Sequence, residues 1–110
     1  MAKNDHVRLQ HMLEAAQEAL EFAQGATREE LESNRMLAHA LVACLGIVGE
    51  AARQVSQETR QQYPSVPWQD IVGMRNRLVH EYFDINNDVV WQTVKIELPR
   101  LIEVLEQQDL

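Results

Sequence analysis

The stretch MLAHALVACLGIVG, residues 36–49, decides how the rest of the chain is read. It is apolar almost all round a helical wheel. A helix of that kind is covered on several sides, in the centre of a bundle or at a subunit interface. The pattern predicts a long helix from about Asn34 to Val55. Gly46 and Gly49 cost helix propensity in so apolar a run, so they predict a second backbone lying close to this helix. His39 reads as a buried, hydrogen-bonded histidine, and Cys44 as a small core residue.

Upstream, Leu9, Met12, Leu13, Ala16, Leu20 and Ala23 recur at helical steps. They predict a helix from Asp5 to about Gln24, with Glu14, Gln17, Glu18 and Glu21 on its other side. Gly25 is a suitable stop, and Thr27 and Glu30 have the spacing of a capping box for a short second helix. Downstream, SQETRQQYP reads as a short surface helix or turn. PSVPW breaks the chain, and Pro67 is placed to open a helix with Trp68 packed inward. That helix carries Ile71, Met74 and Leu78 and ends near His80. Asn86 and Asn87 in DINND are N-caps for a last helix carrying Val90, Trp91, Val94, Leu98, Leu101, Ile102 and Leu105. Pro99 should kink it. No segment reads as a strand of useful length. The expected fold is all-α: one domain over residues 1–110, an up-and-down bundle of about four main helices with short extra helices.

Composition narrows the function. The chain has 110 residues, 45% of them hydrophobic, with 4 Gly and 3 Pro, which suits a helical globule. A formal net charge of −7 argues against a protein that coats nucleic acid nonspecifically. The single cysteine excludes an intrachain disulfide and a four-thiolate zinc site. No signal peptide precedes the charged start MAKNDHVR, and no apolar stretch reaches the length of a membrane span. The expectation is a soluble cytoplasmic protein without membrane contact. The histidines are His6, His11, His39 and His80. None forms an i, i+4 pair and none follows a helical Glu-x-x pattern, so neither a metal nor a nucleotide cofactor is indicated.

One polar cluster stands apart: MRNRLVHEYF, residues 74–83. Asn76 and Arg77 lie four and three residues before His80 and share its side of a helix. Arg75 lies five before it, about 140° round an ideal helix. A single straight helix would not aim both at one small group, whereas a helix end or a second chain could. Arginine offers a planar fork for phosphate oxygens. Histidine, with an unperturbed pKa of about 6.5, exchanges protons at neutral pH. On the residues alone, the ordinary reading is a polar helix end with a histidine near the C-terminal dipole.

The motif Arg75-x4-His80-x-Tyr82, with a polar Asn76 after the arginine, resembles the R-x4-H-x-Y signature of the HEPN superfamily. Its setting is similar to the HepT-like branch: IVGEAA at 47–52, PSVPWQDIVGMRNRLVHEYFDIN at 64–86 and VVWQTVKIELPRLIEVLE at 89–106. The likeness covers most of the chain from about Met36 onward. That family is known as the toxin half of bacterial toxin–antitoxin pairs, with a minimal nucleotidyltransferase as antitoxin. The resemblance implies a HEPN-like bundle and a metal-independent endoribonuclease acting on RNA, with no DNA substrate. It implies Arg75 and His80 as the catalytic pair and Asn76 as a polar support, beside which Arg77 is a further candidate. It implies Tyr82 as the acceptor of AMP from the antitoxin. It also implies a homodimer that brings two motifs into one cleft. The competing reading is a non-catalytic dimeric interaction module that docks a nucleotidyltransferase or binds nucleotide.

Overall fold

The computed structural model describes residues 4–79 and 84–107. Among them the chain is all-α, and the bundle is as expected. Helix α1 spans Asp5–Ala23, α2 Glu30–Ser33, α3 Arg35–Arg53, α4 Gln57–Gln62, α5 Trp68–Val72, α6 Met74–Leu78 and α7 Asn87–Gln92. A π-helical turn, Thr93–Glu97, leads into α8, Leu98–Glu106. The Cα envelope measures 43 × 28 × 19 Å.

Helix α3 is the axis of the bundle. It packs on α1 along most of its length and meets α2, α5, α6 and α7 on other sides. Leu41, Leu45 and Val48 are fully buried there, as are Leu9, Met12 and Ala16 of α1. Asn34 starts the helix by accepting the Leu37 N–H at 3.1 Å, a side-chain cap of the usual kind. With nineteen residues and a mean hydropathy of 1.4, α3 is long and apolar enough to cross a membrane by those measures. The expectation that no stretch reaches span length is corrected on that point. Within the bundle, α3 serves as the central packing helix.

Gly25 ends α1 with φ at +77°, the left-handed turn that glycine adopts without strain. The capping box of α2 does not form. Glu29 stands at the N-cap without a side-chain bond, and the Glu30 N–H is bonded to the Thr27 carbonyl oxygen at 3.1 Å. A backbone turn satisfies the donor that the threonine hydroxyl was expected to take. His39 is also corrected. It is exposed, and its Nε2 lies 3.3 Å from Nη2 of Arg35 one turn earlier. The apolar run leaves one strip of α3 uncovered, and His39 falls on it.

The first turn of α1 is tied to the start of α4. The Asp5 carboxylate is 3% exposed and accepts from the Ser56 N–H, the Ser56 hydroxyl and the Thr59 hydroxyl. Arg60 then turns back to the C-terminal end of α3, donating to the carbonyls of Ala52, Arg53 and Val55. Trp68 packs inward as expected, its Nε1 donating to the Tyr63 carbonyl at 3.1 Å.

Two elements expected as single helices are interrupted. The segment after Pro67 breaks at Gly73 into α5 and α6, and Ile71, Met74 and Leu78 still all point into the core. Helix α6 ends at Leu78, because Val79 is extended and pairs with Ile85 in an isolated antiparallel bridge. The last helix widens into the π turn just before Pro99. Proline has no N–H to continue an α ladder, and its ring crowds the carbonyl four residues back. The Leu98 N–H bonds to Thr93 O, five residues back, and the wider turn relieves that conflict.

Candidate active site around Arg75

Helix α6 is one turn long and presents the cluster on three sides. Leu78 and Met74 anchor it in the core. Arg75, Asn76 and Arg77 are exposed. His80 and Tyr82 lie outside the described residues, which resume at Asp84. The flanks of that segment are joined: Val79 pairs with Ile85, and the Asn86 N–H donates to the Leu78 carbonyl at 2.7 Å.

Arg75 and Arg77 diverge. Arg75 reaches back over α3, where its Nη1 sits 3.8 Å from the position a Cβ would take on Gly46. Arg77 turns the other way and donates from Nη2 to the Asp70 carbonyl at 3.0 Å. It lines a cavity of about 210 Å³ between α3, α5, α6 and α8, whose floor includes Val48, Met74 and Leu98. Residues two apart on a helix face opposite sides, and α6 is too short to bend one toward the other. The structure therefore does not bring Arg77 to the side of Arg75.

The two glycines of α3 also divide. A Cβ on Gly49 would lie 3.0 Å from the Ile71 carbonyl oxygen, so this glycine admits a second backbone, as expected. Gly46 meets no backbone; its neighbour is the Arg75 guanidinium. Sequence reasoning missed that role. The available signal was the glycine itself, unfavourable in the middle of an apolar helix.

Glu50 does not neutralise Arg75. Its Oε1 accepts from Arg53 at 3.0 Å and Gln54 at 3.3 Å. The Arg53 hydrogen bond, then that of Gln54, hold its carboxyl below the usual range. Among the described residues no carboxylate pairs with Arg75. A guanidinium left with its donors unspent is suited to a phosphate. Asn76 stands beside it, also exposed, and makes no side-chain hydrogen bond among the described residues. Among the described residues, no three His, Cys, Asp or Glu side chains group as a metal site.

Beside Arg75 runs the uncovered strip of α3: Met36, 80% exposed, Ala43, and Ile47, 50% exposed. His39 lies on the same strip. Cys44 faces the other way, 2% exposed against α1. Burial, then the nearby Glu18 carboxylate, push its thiol up to about 11, so it is a poor nucleophile at neutral pH.

A helical bundle that lays over its central helix the arginine of an Arg-x4-His-x-Tyr motif, with no carboxylate partner among the described residues, defines a HepT-type chain. The sequence comparisons agree. Residues 12–108 match the family described as ribonuclease HepT-like, and the chain belongs to that family. It is 36% identical over 98 residues to a Methanocaldococcus jannaschii protein named "Putative RNase", covering 89% of this chain and 90% of that one. It is 37% identical over 93 residues to another protein named as a "Putative RNase", from Caldanaerobacter subterraneus subsp. tengcongensis, covering 84% and 83%. It is 32% identical to "Probable ribonuclease HepT" of Thermococcus cleftensis, covering 81% and 84%. The relatives are largely archaeal, so a bacterial source does not follow from them. No solved structure gave a significant match.

Proposed function

We propose that the protein is an endoribonuclease that cleaves RNA without a metal, with Arg75 and His80 as its catalytic pair. The observation that carries this reading is the Arg75 guanidinium, exposed over α3 and paired with no carboxylate among the described residues, in a ribonuclease HepT-like chain. His80 removes the proton from a ribose 2′-hydroxyl. The 2′-oxygen attacks the adjacent phosphorus, the P–O5′ bond breaks, and the 5′-oxygen takes up a proton. The products are a 2′,3′-cyclic phosphate and a 5′-hydroxyl. Arg75 offsets the charge that grows on the phosphorane oxygens. Asn76 orients His80 or holds a phosphate oxygen.

The uncovered strip of α3 supports a homodimer. Met36, Ala43 and Ile47 recur on one side of the helix, and an apolar stripe of that kind is covered by a second surface. Arg75 stands at the edge of the strip, so a second copy docked there would bring its own motif near. The acid and the base would then come from different protomers. A minimal nucleotidyltransferase is the proposed antitoxin, placing AMP on Tyr82 and so a negative charge beside Arg75. Arg77 is turned away and takes no part in holding that phosphate.

The test is cleavage of a single-stranded RNA with and without EDTA, and of the same strand with a 2′-deoxyribose at the cut site. The expected result is an unchanged rate in EDTA and no cut at the deoxy position. Loss of activity in EDTA, or equal cutting of DNA, would refute the mechanism. The strongly acidic net charge favours a second reading, a non-catalytic dimeric module that docks the nucleotidyltransferase. Cleavage that survives in Arg75→Ala would show contamination and favour that module.

A further inference from the structure

We infer that Gly46 is a positioning residue: its missing side chain forms the seat that fixes the Arg75 guanidinium over α3. Glycine in the middle of a helix is unfavourable, so a reason for it must lie in its surroundings. Gly49 has such a reason in the Ile71 carbonyl, 3.0 Å from where its Cβ would stand. At Gly46 the one heavy atom of the described residues outside the helix's own backbone that lies within 4 Å of that position is Nη1 of Arg75. A methyl there would just touch the guanidinium at ordinary van der Waals distance. Any longer side chain would occupy the space the guanidinium holds. The fold therefore does not require a residue this small at 46, whereas the placement of Arg75 excludes any side chain longer than a methyl there.

The surroundings make this seat effective. Helix α6 is a single turn, anchored by Met74 and Leu78, so its backbone fixes only the root of Arg75. The rest of that flexible side chain needs a surface. Glu50, one turn along α3, is engaged by Arg53 and Gln54 and does not capture it. The seat thus holds the guanidinium by shape and leaves its donors for a phosphate. Misplacement by about 1 Å is enough to cost a catalytic group on the order of 10²-fold in rate.

This inference rests on the ribonuclease reading only for its activity arm. The experiment uses the full chain with Gly46→Ala, Gly46→Val and Gly46→Leu, alone and combined with Arg75→Ala. RNA cleavage should fall with side-chain size, with Gly46→Leu down at least about tenfold in kcat. In the Arg75→Ala background the same substitution should have no further effect, because its action passes through Arg75. The arm independent of activity is the Arg75 Nε–Hε resonance in ¹⁵N-labelled protein. It should shift in Gly46→Leu while amide signals remote from 46 and 75 stay in place. If Gly46→Leu does not fold, Gly46→Val carries both arms. An unmoved Arg75 resonance in the larger variants would overturn the seat. So would an equal loss in the Arg75→Ala background, or a loss as large in Gly46→Ala as in Gly46→Leu. A wild-type protein without ribonuclease activity would refute the function above and leave the resonance arm to decide the seat.

Discussion

Arg75 and Arg77 are two residues apart on one helical turn, and the two sides of α6 they occupy could hardly differ more. On the α3 side the guanidinium rests over a glycine, with no carboxylate partner among the described residues. On the α8 side it is bonded to a backbone carbonyl at the rim of an apolar cavity. The residue type is the same and the exposure is similar. What separates them is whether the fold uses the donors. Arg77 has been turned into a brace between α5 and α6, while Arg75 has no carboxylate partner among the described residues.

The largest test of this contrast is Arg75→Ala. Removing a charge-stabilising donor costs on the order of 10²–10³ in kcat, so cleavage should drop by that factor while the thermal midpoint stays near wild type. A stability loss as large as the activity loss would erase the distinction between the two sides. Gly49→Ala comes next and acts on packing. Its new methyl would lie 3.0 Å from the Ile71 carbonyl, and such overpacking costs about 1–3 kcal/mol. Urea denaturation should show the loss at Gly49→Ala and none of that size at Gly46→Ala.

Arg77→Ala should reverse the pattern of Arg75→Ala. It removes one hydrogen bond at an exposed site, worth about 0.5–1.5 kcal/mol. Denaturation should detect that change, with cleavage altered only a few-fold. The smallest effect concerns the opposite face of α3. Burial and Glu18 raise the Cys44 thiol from its ordinary 9.0 to about 11. Iodoacetamide at pH 8 should therefore label native protein far more slowly than unfolded protein. The native state holds the proton more tightly, so its stabilising contribution is intact below about pH 9 and is lost as pH rises towards 11.

The helices were legible because their apolar residues recur at clear steps. Leu9 to Ala23 in α1 and Leu41 to Val48 in α3 needed nothing beyond periodicity. The breaks were less legible. Gly73 and Pro99 are visible in the sequence, but whether a helix ends, kinks or widens there depends on what packs behind it. His39 was misplaced because wheel periodicity cannot tell which strip of an all-apolar helix stays open. The motif at 75–82 was legible as a pattern of residue types. The divergence of its two arginines was not, since it follows from the break at Gly73 and from the neighbours each arginine meets, Gly46 on α3 and Asp70 on α5. His80 and Tyr82 fall outside the described residues.

The π turn at Thr93–Glu97 makes α7 and α8 a single rod containing one residue more than its length requires. Such a rod has slack that can be removed. Deleting one residue within 93–97 would let the ladder close as plain α-helix with Leu101 and Leu105 still facing inward, provided Pro99 is also replaced. With Pro99 retained, the shortened rod would bring the ring against the carbonyl four residues back, and the deletion would fail. The spare residue therefore accommodates the proline: deletion alone should be harder to tolerate than deletion combined with replacement of Pro99.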